Sequence, residues 1–351
     1  MQRIMALATL AVLGGLGYLF LQGGGLSQIA VSPGSFAPPG RAHYPPGNWN
    51  APPSTHEPYQ KTSTAPRSQR LASAAPSGIA AGPTIRLASF NIQAFGNTKA
   101  GKAYVMEALA QIILQFDIVA IQEIRSQNEY LIPNFVDLIN RNASGKHYDH
   151  VIGPRVGYTS VKEQYAFIFN SERIKVGRQS VYTVGDPDNL LHRKPLVASF
   201  NVLGPDPDEA FSFTLVNIHI DPDEVQKEVD ALAEVYRVVR RSGEEDDIIL
   251  VGDFHADDSH LGRLGQVPGI HPLISGVATN TRQTAQYDNI IIHRHSTTEY
   301  SGRSGVFDVM RFINKNLEQT LQVSDHLPVW AEFSVYERDF AGRIASRRRG
   351  R

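Results

Sequence analysis

The sequence between residues 84 and 337 predicts a single α/β domain built on two sheets. Nine apolar runs rich in Val, Ile, Phe and Leu are typical of strands, and three longer runs repeat their apolar residues with a helical period. Hydrophobic residues make up 42% and charged residues 20% of the 351-residue chain, which indicates a globular protein with an ample core. The absence of Cys excludes a disulfide scaffold, an iron–sulfur or thiolate–zinc site, and a Cys nucleophile.

The first 25 residues predict either a cleaved signal peptide or a single membrane anchor. Ile4–Gly25 carries no charge, and as a helix it would just span the ~30 Å hydrocarbon core of a bilayer. Arg3 precedes this run and no basic residue follows before Arg41, so the positive-inside rule places the rest of the chain outside the cytoplasm. The small residues Gly23 and Gly25 would suit cleavage after Gly25. Both alternatives predict an exported protein, secreted or anchored at the membrane.

Residues 26–83 predict a disordered linker. The first 83 residues hold 11 of the 21 Pro of the chain, with Ser, Thr, Ala and Gly between them and no sustained apolar period. Such a segment cannot bury enough surface to offset its ordering entropy. At the other end, residues 338–351 form an Arg-rich tail. A tail of this kind is most often a solvated chain end, and binding to a polyanion is the alternative.

The strands and helices of the domain follow one another along residues 84–337. Asp223 and Glu224 favour the start of the last helix, because acidic side chains stabilise helix N-termini. Strand-like runs cover Ile85–Ile92, Asp117–Ile121, Tyr148–Ile152, Tyr165–Phe169, Leu196–Val202, Phe211–Ile220, Ile248–Val251, Tyr287–His293 and Leu327–Val335. Helical runs cover Lys102–Phe116, Glu129–Asn140 and Asp223–Arg241.

Net charge divides the chain into an acidic body between two basic ends. The whole chain has a formal charge of −1, but residues 84–337 carry 23 basic and 33 acidic side chains, a net of −10. The segments 1–83 and 338–351 have net charges of +4 and +5. This distribution excludes a protein that holds nucleic acid by bulk positive charge. A bound divalent cation would invert the charge locally, at the place where it binds.

Polar side chains stand out where the predicted strands begin or end. Groups in such positions are held by a sheet yet open to a cleft, and α/β folds commonly place their sites there. Carboxylate and amide oxygens suit Mg²⁺, Mn²⁺ or Ca²⁺, and His serves as an acid or a base. The residues are Asn91, Glu123, Glu163, Arg193, His219, Asp253, His255, Asp288, Asp325 and His326.

Five motifs in this order resemble the signatures of the endonuclease/exonuclease/phosphatase superfamily, and the resemblance covers about residues 84–336. The motifs are "FNIQAFG", "IVAIQE", "GDFHAD", "YDNIII" and "SDHLPV". Two more, "VKEQY" and "VNIHIDP", resemble the deoxyribonuclease I branch. The fold that this resemblance implies is a four-layer α/β/β/α sandwich, in which two packed mixed sheets are flanked by helices.

The resemblance implies a metal site at one edge of that sandwich. Glu123, with Asn91 near it, resembles the main divalent-metal site, and Asn91 is also expected beside the phosphate. Asp253 and Asp325 resemble further acidic groups that hold metal or orient water. The implied ion is Mg²⁺, with Mn²⁺ or Ca²⁺ as alternatives.

The resemblance also implies two catalytic His–carboxylate pairs and one phosphate-binding Arg. His326 with Asp288 resembles one pair, and His219 with Glu163 resembles the second pair, which is typical of deoxyribonuclease I. Arg193 resembles the Arg that contacts the phosphate near the cut. Two His with pKa values near neutrality, each oriented by a carboxylate, can divide the proton transfers of phosphodiester hydrolysis between them.

Position 255 departs from the family pattern, because "GDFHAD" has His where the family usually has Asn. A His ring nitrogen can also donate a hydrogen bond to a phosphate, and a charged ring would bind the phosphate more strongly. The alternative is that His255 ligates a metal such as manganese or zinc. The hypothesis is that His255 keeps the phosphate-binding role. The disulfides usual in this branch are absent as well.

Together these features predict an exported, divalent-metal-dependent phosphodiesterase that cuts DNA endonucleolytically. The first alternative is an enzyme of the same superfamily acting on another phosphoester, such as RNA, sphingomyelin or a phosphoinositide. The second is a non-catalytic surface or binding protein, against which stands the fact that nearly every position carrying chemistry is filled. DNA is the expected partner, with the membrane as a second partner through the N-terminal segment, and no obligate protein partner is expected.

Overall fold

The computed structural model describes residues 83–158, 162–243 and 245–338, together with the backbone of residues 30–32. All nine predicted strands and all three predicted helices are confirmed, with shifts of a few residues at their ends. The strands are β1 Ala30–Ser32, β2 Thr84–Phe95, β3 Ile118–Ile124, β4 Tyr148–Ile152, β5 Gln164–Asn170, β6 Ile174–Val176, β7 Tyr182–Gly185, β8 Leu196–Val202, β9 Ser212–His219, β10 Ile248–Asp253, β11 Ile270–Pro272, β12 Asp288–His293, β13 Tyr300–Val306 and β14 Val329–Ser334. The helices are α1 Asn97–Ala100, α2 Ala103–Ile113, α3 Leu131–Asn142, α4 Val225–Ser242, α5 Gly262–Gly265, α6 Val309–Ile313 and α7 Leu317–Val323, and Arg178–Ser180 forms a 3₁₀ turn.

The strands form two mixed sheets. The larger, eight-stranded sheet has the order β1-β7-β8-β9-β10-β12-β11, with β6 pairing with β8. The smaller, six-stranded sheet has the order β13-β14-β2-β3-β5-β4. Each sheet contains one parallel pair, β9–β10 in the larger and β2–β3 in the smaller, among antiparallel neighbours. The two parallel pairs lie at the centres of their sheets, so the ends of four central strands meet at one edge of the molecule.

Apolar side chains pack in three layers, one between the sheets and one outside each sheet. In β2, Ile85 and Leu87 face the other sheet, whereas Ala88 and Phe90 face helices, as the two-residue period of a strand requires. Helices α2 and α3 cover the six-stranded sheet, and α4 and α5 cover the eight-stranded sheet. The fold is therefore the four-layer α/β/β/α sandwich that the resemblance implied.

The terminal predictions fall mostly outside the described residues. Ile4–Gly25 and residues 339–351 lie wholly outside them, and the helices that are described include none long and apolar enough to cross a membrane. Within the predicted linker, the backbone of Ala30–Ser32 pairs antiparallel with β7. The prediction of a linker without regular structure is wrong for these three residues, because an edge strand offers unpaired backbone groups to any extended segment within reach.

Candidate active site

One edge of the sandwich carries side chains from the ends of both sheets. His219 and Asp253 are the last residues of β9 and β10, and Asp288 is the first residue of β12. These three residues pair in register across the larger sheet. In the smaller sheet, the regular β2–β3 ladder ends at Asn91, beside Glu123. The structure thus brings together residues that are up to 197 positions apart. Ion pairs and close contacts add the other five predicted residues, which are Glu163, Arg193, His255, Asp325 and His326.

Glu163 holds His219 in one orientation. The His219 Nδ1 atom lies 2.6 Å from Glu163 Oε1, and both side chains are buried. A carboxylate can only accept a hydrogen bond, so this pair places a proton on Nδ1 and turns Nε2 toward Asp253 Oδ2, at 3.8 Å. Burial opposes a charge on the ring, but the charge and hydrogen bond of Glu163, together with the charge of Asp253, outweigh it and raise the pKa of His219.

Asp288 holds His326 in the equivalent way. The His326 Nδ1 atom lies 2.9 Å from Asp288 Oδ2, which also accepts a hydrogen bond from Thr279 Oγ1 at 2.8 Å. The free Nε2 atom lies 3.6 Å from Asp253 Oδ2. Burial disfavours the charged ring, yet Asp288 and Asp253 raise the pKa of His326 to about 10. Both predicted His–carboxylate pairs are therefore formed, and their Nε2 atoms converge on one carboxylate.

Asp253 is the centre of this arrangement. Asn91 Nδ2 donates to Asp253 Oδ2 at 3.0 Å and lies 3.2 Å from Glu123 Oε1, so one amide links the two carboxylates. Burial alone would raise the pKa of Asp253, but the neighbouring rings of His326, His255 and His219 lower it, His326 most of all. A carboxylate that is ionised in a buried place needs such positive or hydrogen-bonding neighbours.

Glu123 is held in place by its backbone conformation and by two neighbouring groups that contact its carboxylate. Its φ of +61° is in the left-handed region, and its Oε2 atom accepts the backbone N–H of Ala94 at 2.8 Å. The Arg125 guanidinium lies 2.9 Å from the same oxygen. Burial would raise the pKa of Glu123, but His219, Ala94 and Arg125 together lower it. A strained, ionised carboxylate of this kind is a frequent feature of functional sites.

The donor atoms fit a divalent cation bound by oxygen. Asn91 Oδ1 and Asp325 Oδ1 are buried atoms that accept no hydrogen bond within the described part of the chain. Asn91 is hydrogen-bonded to the Glu123 and Asp253 carboxylates, and Asp325 Oδ1 lies 3.9 Å from His326 Nε2. Mg²⁺, Mn²⁺ and Ca²⁺ prefer such hard oxygen ligands. At this edge, the sets of three ionisable ligands whose atoms lie within 4.8 Å are His219–Asp253–His255 and Asp253–Asp288–His326. Glu123 belongs to neither of these two sets. It is linked to Asp253 by the Asn91 amide, which contacts both carboxylates.

His255 lies on the outer side of Asp253. Its backbone is left-handed, with φ of +46°, and its N–H donates to Asp253 Oδ1 at 3.0 Å. The Nε2 atom lies 3.5 Å from Asp253 Oδ2, and the ring centre is 5.7 Å from that of His219. Burial lowers the pKa of His255 and the other two His rings lower it further, so the neutral ring is favoured. This position suits both alternatives raised for His255, a contact to phosphate and a contact to metal.

Arg193 and Asp325 border the site on two sides. Arg193 Nε lies 3.2 Å from Glu163 Oε1, and Arg193 Nε and Nη1 are buried without a hydrogen-bond acceptor of good geometry. Arg193 Nη1 lies 4.0 Å from Asp221 Oδ2, so the guanidinium is held between the carboxylates of Glu163 and Asp221. Asp325 Oδ2 accepts from Gln93 Nε2 at 2.7 Å, and its side chain is 43% exposed, the most open of the site carboxylates.

Four supporting residues were not predicted from the sequence. Arg125 bridges Glu123 and Glu163, and Tyr287 lies between the rings of His255 and His326, at 5.4 and 5.9 Å. Arg125 follows the predicted site residue Glu123 by two positions, and Tyr287 precedes Asp288 by one. This proximity in the sequence could have indicated both. Gln93, two positions after Asn91, offered the same signal, whereas Thr279 contacts Asp288 from nine positions away and no local pattern in the sequence reveals it.

Comparison with known proteins identifies the family of the chain and agrees with its fold. The sequence model described as the endonuclease/exonuclease/phosphatase family matches residues 88–326. The chain is similar to deoxyribonuclease-1-like 1 of Sus scrofa, with 32% identity over 260 residues, covering 71% of this chain and 81% of that protein. It is also similar to deoxyribonuclease gamma of Rattus norvegicus, with 31% identity over 262 residues and coverage of 70% and 83%.

Among solved structures, that of truncated TDP2 from Caenorhabditis elegans superposes with a TM-score of 0.50 at 12% identity and covers 72% of this chain and 98% of that one. At this identity the likeness concerns the fold alone. The length of the family match and the sequence identity to the two deoxyribonuclease relatives decide the classification. The chain belongs to the endonuclease/exonuclease/phosphatase family, in its deoxyribonuclease I-like branch.

Proposed function

We propose that the protein is a divalent-metal-dependent endonuclease that hydrolyses the phosphodiester bonds of DNA. The observation that carries this proposal is the convergence of His219 Nε2 and His326 Nε2 on Asp253, with each ring oriented by its own carboxylate. Two similarly held imidazoles provide both an acceptor and a donor of protons. The names of the deoxyribonuclease relatives supply the substrate, because the sequence identity to them extends over the whole domain.

The proposed reaction divides two proton transfers between the two pairs. One imidazole, in its neutral form, takes a proton at Nε2 from water as the water oxygen bonds to phosphorus. Because the neighbouring carboxylates raise the pKa of both rings, this neutral form becomes more populated as the pH rises. The other Nε2 gives a proton to the leaving sugar oxygen as its bond to phosphorus breaks. The Arg193 guanidinium holds a phosphoryl oxygen, and Glu163 and Asp288 keep both rings in their tautomers. A divalent cation held by Glu123, Asn91, Asp253 and Asp325 supplies further positive charge against the phosphate.

The substrate is tested by incubating the full chain with supercoiled plasmid, RNA, and vesicles containing sphingomyelin or phosphoinositide. Each incubation contains Mg²⁺, Mn²⁺ or Ca²⁺, and is repeated with a chelator. We expect metal-dependent nicking of the plasmid that the chelator abolishes. Release of only lipid headgroups or cleavage of only RNA would contradict the assignment to DNA.

The site is tested by replacing His326 with Gln, which keeps a polar side chain but removes the titrating ring. Loss of one general acid or base is expected to lower the nicking rate by about 10²- to 10⁴-fold. The matched control is His271→Gln, on the exposed strand β11, which should nick at the wild-type rate. Equal rates in the two variants would show that the nicking does not come from this site.

We also propose that the protein is exported, on the strength of the uncharged run Ile4–Gly25 and the charges that flank it. The test is the location of a C-terminally tagged chain with and without residues 1–25. Nuclease activity outside the cytoplasm that depends on these residues is expected. A band shortened by about 25 residues would distinguish a cleaved signal from an anchor. Cytoplasmic retention of the full chain would contradict export.

A further inference from the structure

A second group of acidic residues lies at the end of the sandwich opposite to the active site. Asp247 directly precedes β10, whose other end is Asp253, and a strand of this length places them about 20 Å apart. Glu299 directly precedes β13, and Glu337 follows β14. The group therefore joins one strand of the larger sheet to two strands of the smaller sheet.

The three carboxylates of this cluster are close together and largely buried. One oxygen from each of Asp247, Glu299 and Glu337 lies within 4.8 Å of the others. Asp247 is 4% exposed and Glu299 is 1% exposed, so water screens their charges poorly. No Lys, Arg or His of the described residues forms an ion pair with any of the three. Burial raises the pKa of Asp247 to about 9, and the neighbouring acids Glu299, Glu245 and Glu337 add to the rise.

Two oxygens of the cluster lack a partner. Glu299 Oε2 is buried and accepts no hydrogen bond within the described part of the chain. Asp247 Oδ1 is also buried and accepts none of good geometry there, although the Thr297 hydroxyl is near enough to lower the pKa of Asp247. The other oxygen of Glu299 is fixed by the backbone N–H of Arg338, at 2.7 Å, and one oxygen of Glu337 by the backbone N–H of Ser212, at 2.9 Å. Buried acceptors are nearly always satisfied in native structures, so two orphaned oxygens in one acidic cluster point to a ligand that binds between them.

We propose that Asp247, Glu299 and Glu337 bind a Ca²⁺ ion that ties the two sheets together at this end. The donors are all carboxylate oxygens, which suit a hard cation, and the cluster offers no nitrogen or sulfur ligand for a softer one. Calcium–oxygen bonds of about 2.3 to 2.6 Å can join ligand oxygens that lie within 4.8 Å of one another. The smaller Mg²⁺ demands a tighter octahedron and keeps its water, which a buried site supplies poorly.

The Ca²⁺ site is separate from the proposed nuclease function and is tested by stability. Thermal unfolding of the full chain is followed in a chelator, then in increasing Ca²⁺, with Mg²⁺ in a parallel series. At Ca²⁺ concentrations about 100-fold above the dissociation constant, the Tm is expected to rise by roughly 5 to 10 °C. Glu299→Gln should lose that rise, and it should unfold at a higher temperature than the wild type in chelator because one repelling charge is gone.

The matched control is Glu332→Gln, which removes another buried acid from the smaller sheet. Glu332 pairs with Arg86 and Arg303, so its loss should lower the Tm and leave the Ca²⁺-induced rise intact. Should Glu299→Gln fail to fold, the half-buried Glu337→Gln takes its place with the same expected result. All of these variants should still nick plasmid in Mg²⁺ well below their Tm, which separates this test from that of the nuclease site.

Three outcomes would overturn the proposal. The first is a wild-type Tm that Ca²⁺ does not change. The second is an equal Ca²⁺-induced rise in the wild type and in Glu299→Gln, which would place the ion elsewhere, for example in the active site. The third is an equal response to Mg²⁺ and Ca²⁺, which would contradict the choice of calcium.

Discussion

At the scale of single residues, the sequence predicted which side chains meet but not which atoms face one another. The motifs named His219, His326 and Asp253, and the structure brings them together as expected. That both rings bind their carboxylates through Nδ1 and present Nε2 to the cleft depends on the orientations of the strands. The bond between Gln93 and Asp325 joins residues 232 positions apart, and no local pattern could have indicated it.

His255 gives the sharpest prediction at this scale. Asn tolerates left-handed backbone well, so His255→Asn should keep the turn at φ of +46° and the stability of the protein. If the ring contacts phosphate, Asn replaces it as a donor, and the rate of plasmid nicking should stay within about tenfold of the wild type. The pH profile and the preference between Mg²⁺ and Mn²⁺ should change, because an amide neither titrates near neutrality nor offers a nitrogen ligand.

The measurement is nicking rate against pH in each metal, with His255→Ala as the control that removes the donor altogether. His255→Ala should nick more slowly than His255→Asn. Identical rates, pH profiles and metal preferences in His255→Asn and the wild type would remove any distinct role for His at this position.

At the scale of elements, the strands that the sequence predicted are those with long apolar runs. The shorter strands β6, β7 and β11 were missed, since three or four residues cannot show a period. β13 was missed for another reason: its sequence, YSGRSGV, holds two Gly, and none of its residues is fully buried. It forms because β14 offers it a paired edge. Tertiary contacts, not local preference, decide such elements.

Gly252 shows how closely two elements approach at the site. It adopts φ of +148° in β10, and a Cβ atom there would lie 1.9 Å from the backbone oxygen of Ile218 in the parallel strand β9. Neither strand can move without displacing His219 or Asp253. Gly252→Ala is therefore expected to lower the free energy of unfolding by more than about 3 kcal/mol and to lower the nicking rate as well.

The matched control is Gly145→Ala, since Gly145 also has positive φ, +72°, but has open space around its Cβ position. It should cost only the backbone strain of about 1 kcal/mol and leave nicking unchanged. Denaturant unfolding of both variants measures the difference. Equal losses of stability would mean that strands β9 and β10 are farther apart in solution than in this structure.

At the scale of the whole molecule, acidic groups lie at the two ends of the sandwich, whereas the apolar packing lies between those ends. Residues 84–337 have a net charge of −10, and acids concentrate at both ends of the sandwich, in the active site and in the cluster around Asp247. The sequence predicted the first concentration through its motifs. It gave no sign of the second, whose members come from three separate strand ends. Between these ends lies a core of apolar side chains, in which aromatic rings join the two sheets.

Phe200 is central to that junction, and its removal should weaken the whole domain. From β8 its ring contacts Phe167 and Phe169 of the other sheet, with centroids 5.3 and 5.8 Å away, and Phe213 of its own sheet at 5.7 Å. Phe200→Ala is expected to lower the free energy of unfolding by about 3 to 5 kcal/mol, because it removes buried surface and leaves a cavity. The control Phe312→Ala, at a ring that is 39% exposed, should cost less than about 1 kcal/mol.

Guanidinium unfolding should show a lower midpoint for Phe200→Ala with an unchanged slope, since the same surface becomes exposed when the domain unfolds as one unit. Plasmid nicking below the midpoint should persist, because the ring lies between the sheets and contacts none of the site residues. A second transition in the variant would instead indicate that the two sheets unfold separately. The sandwich would then be two units held together at their ends, and the acidic cluster around Asp247 would matter more for its cohesion than the aromatic core.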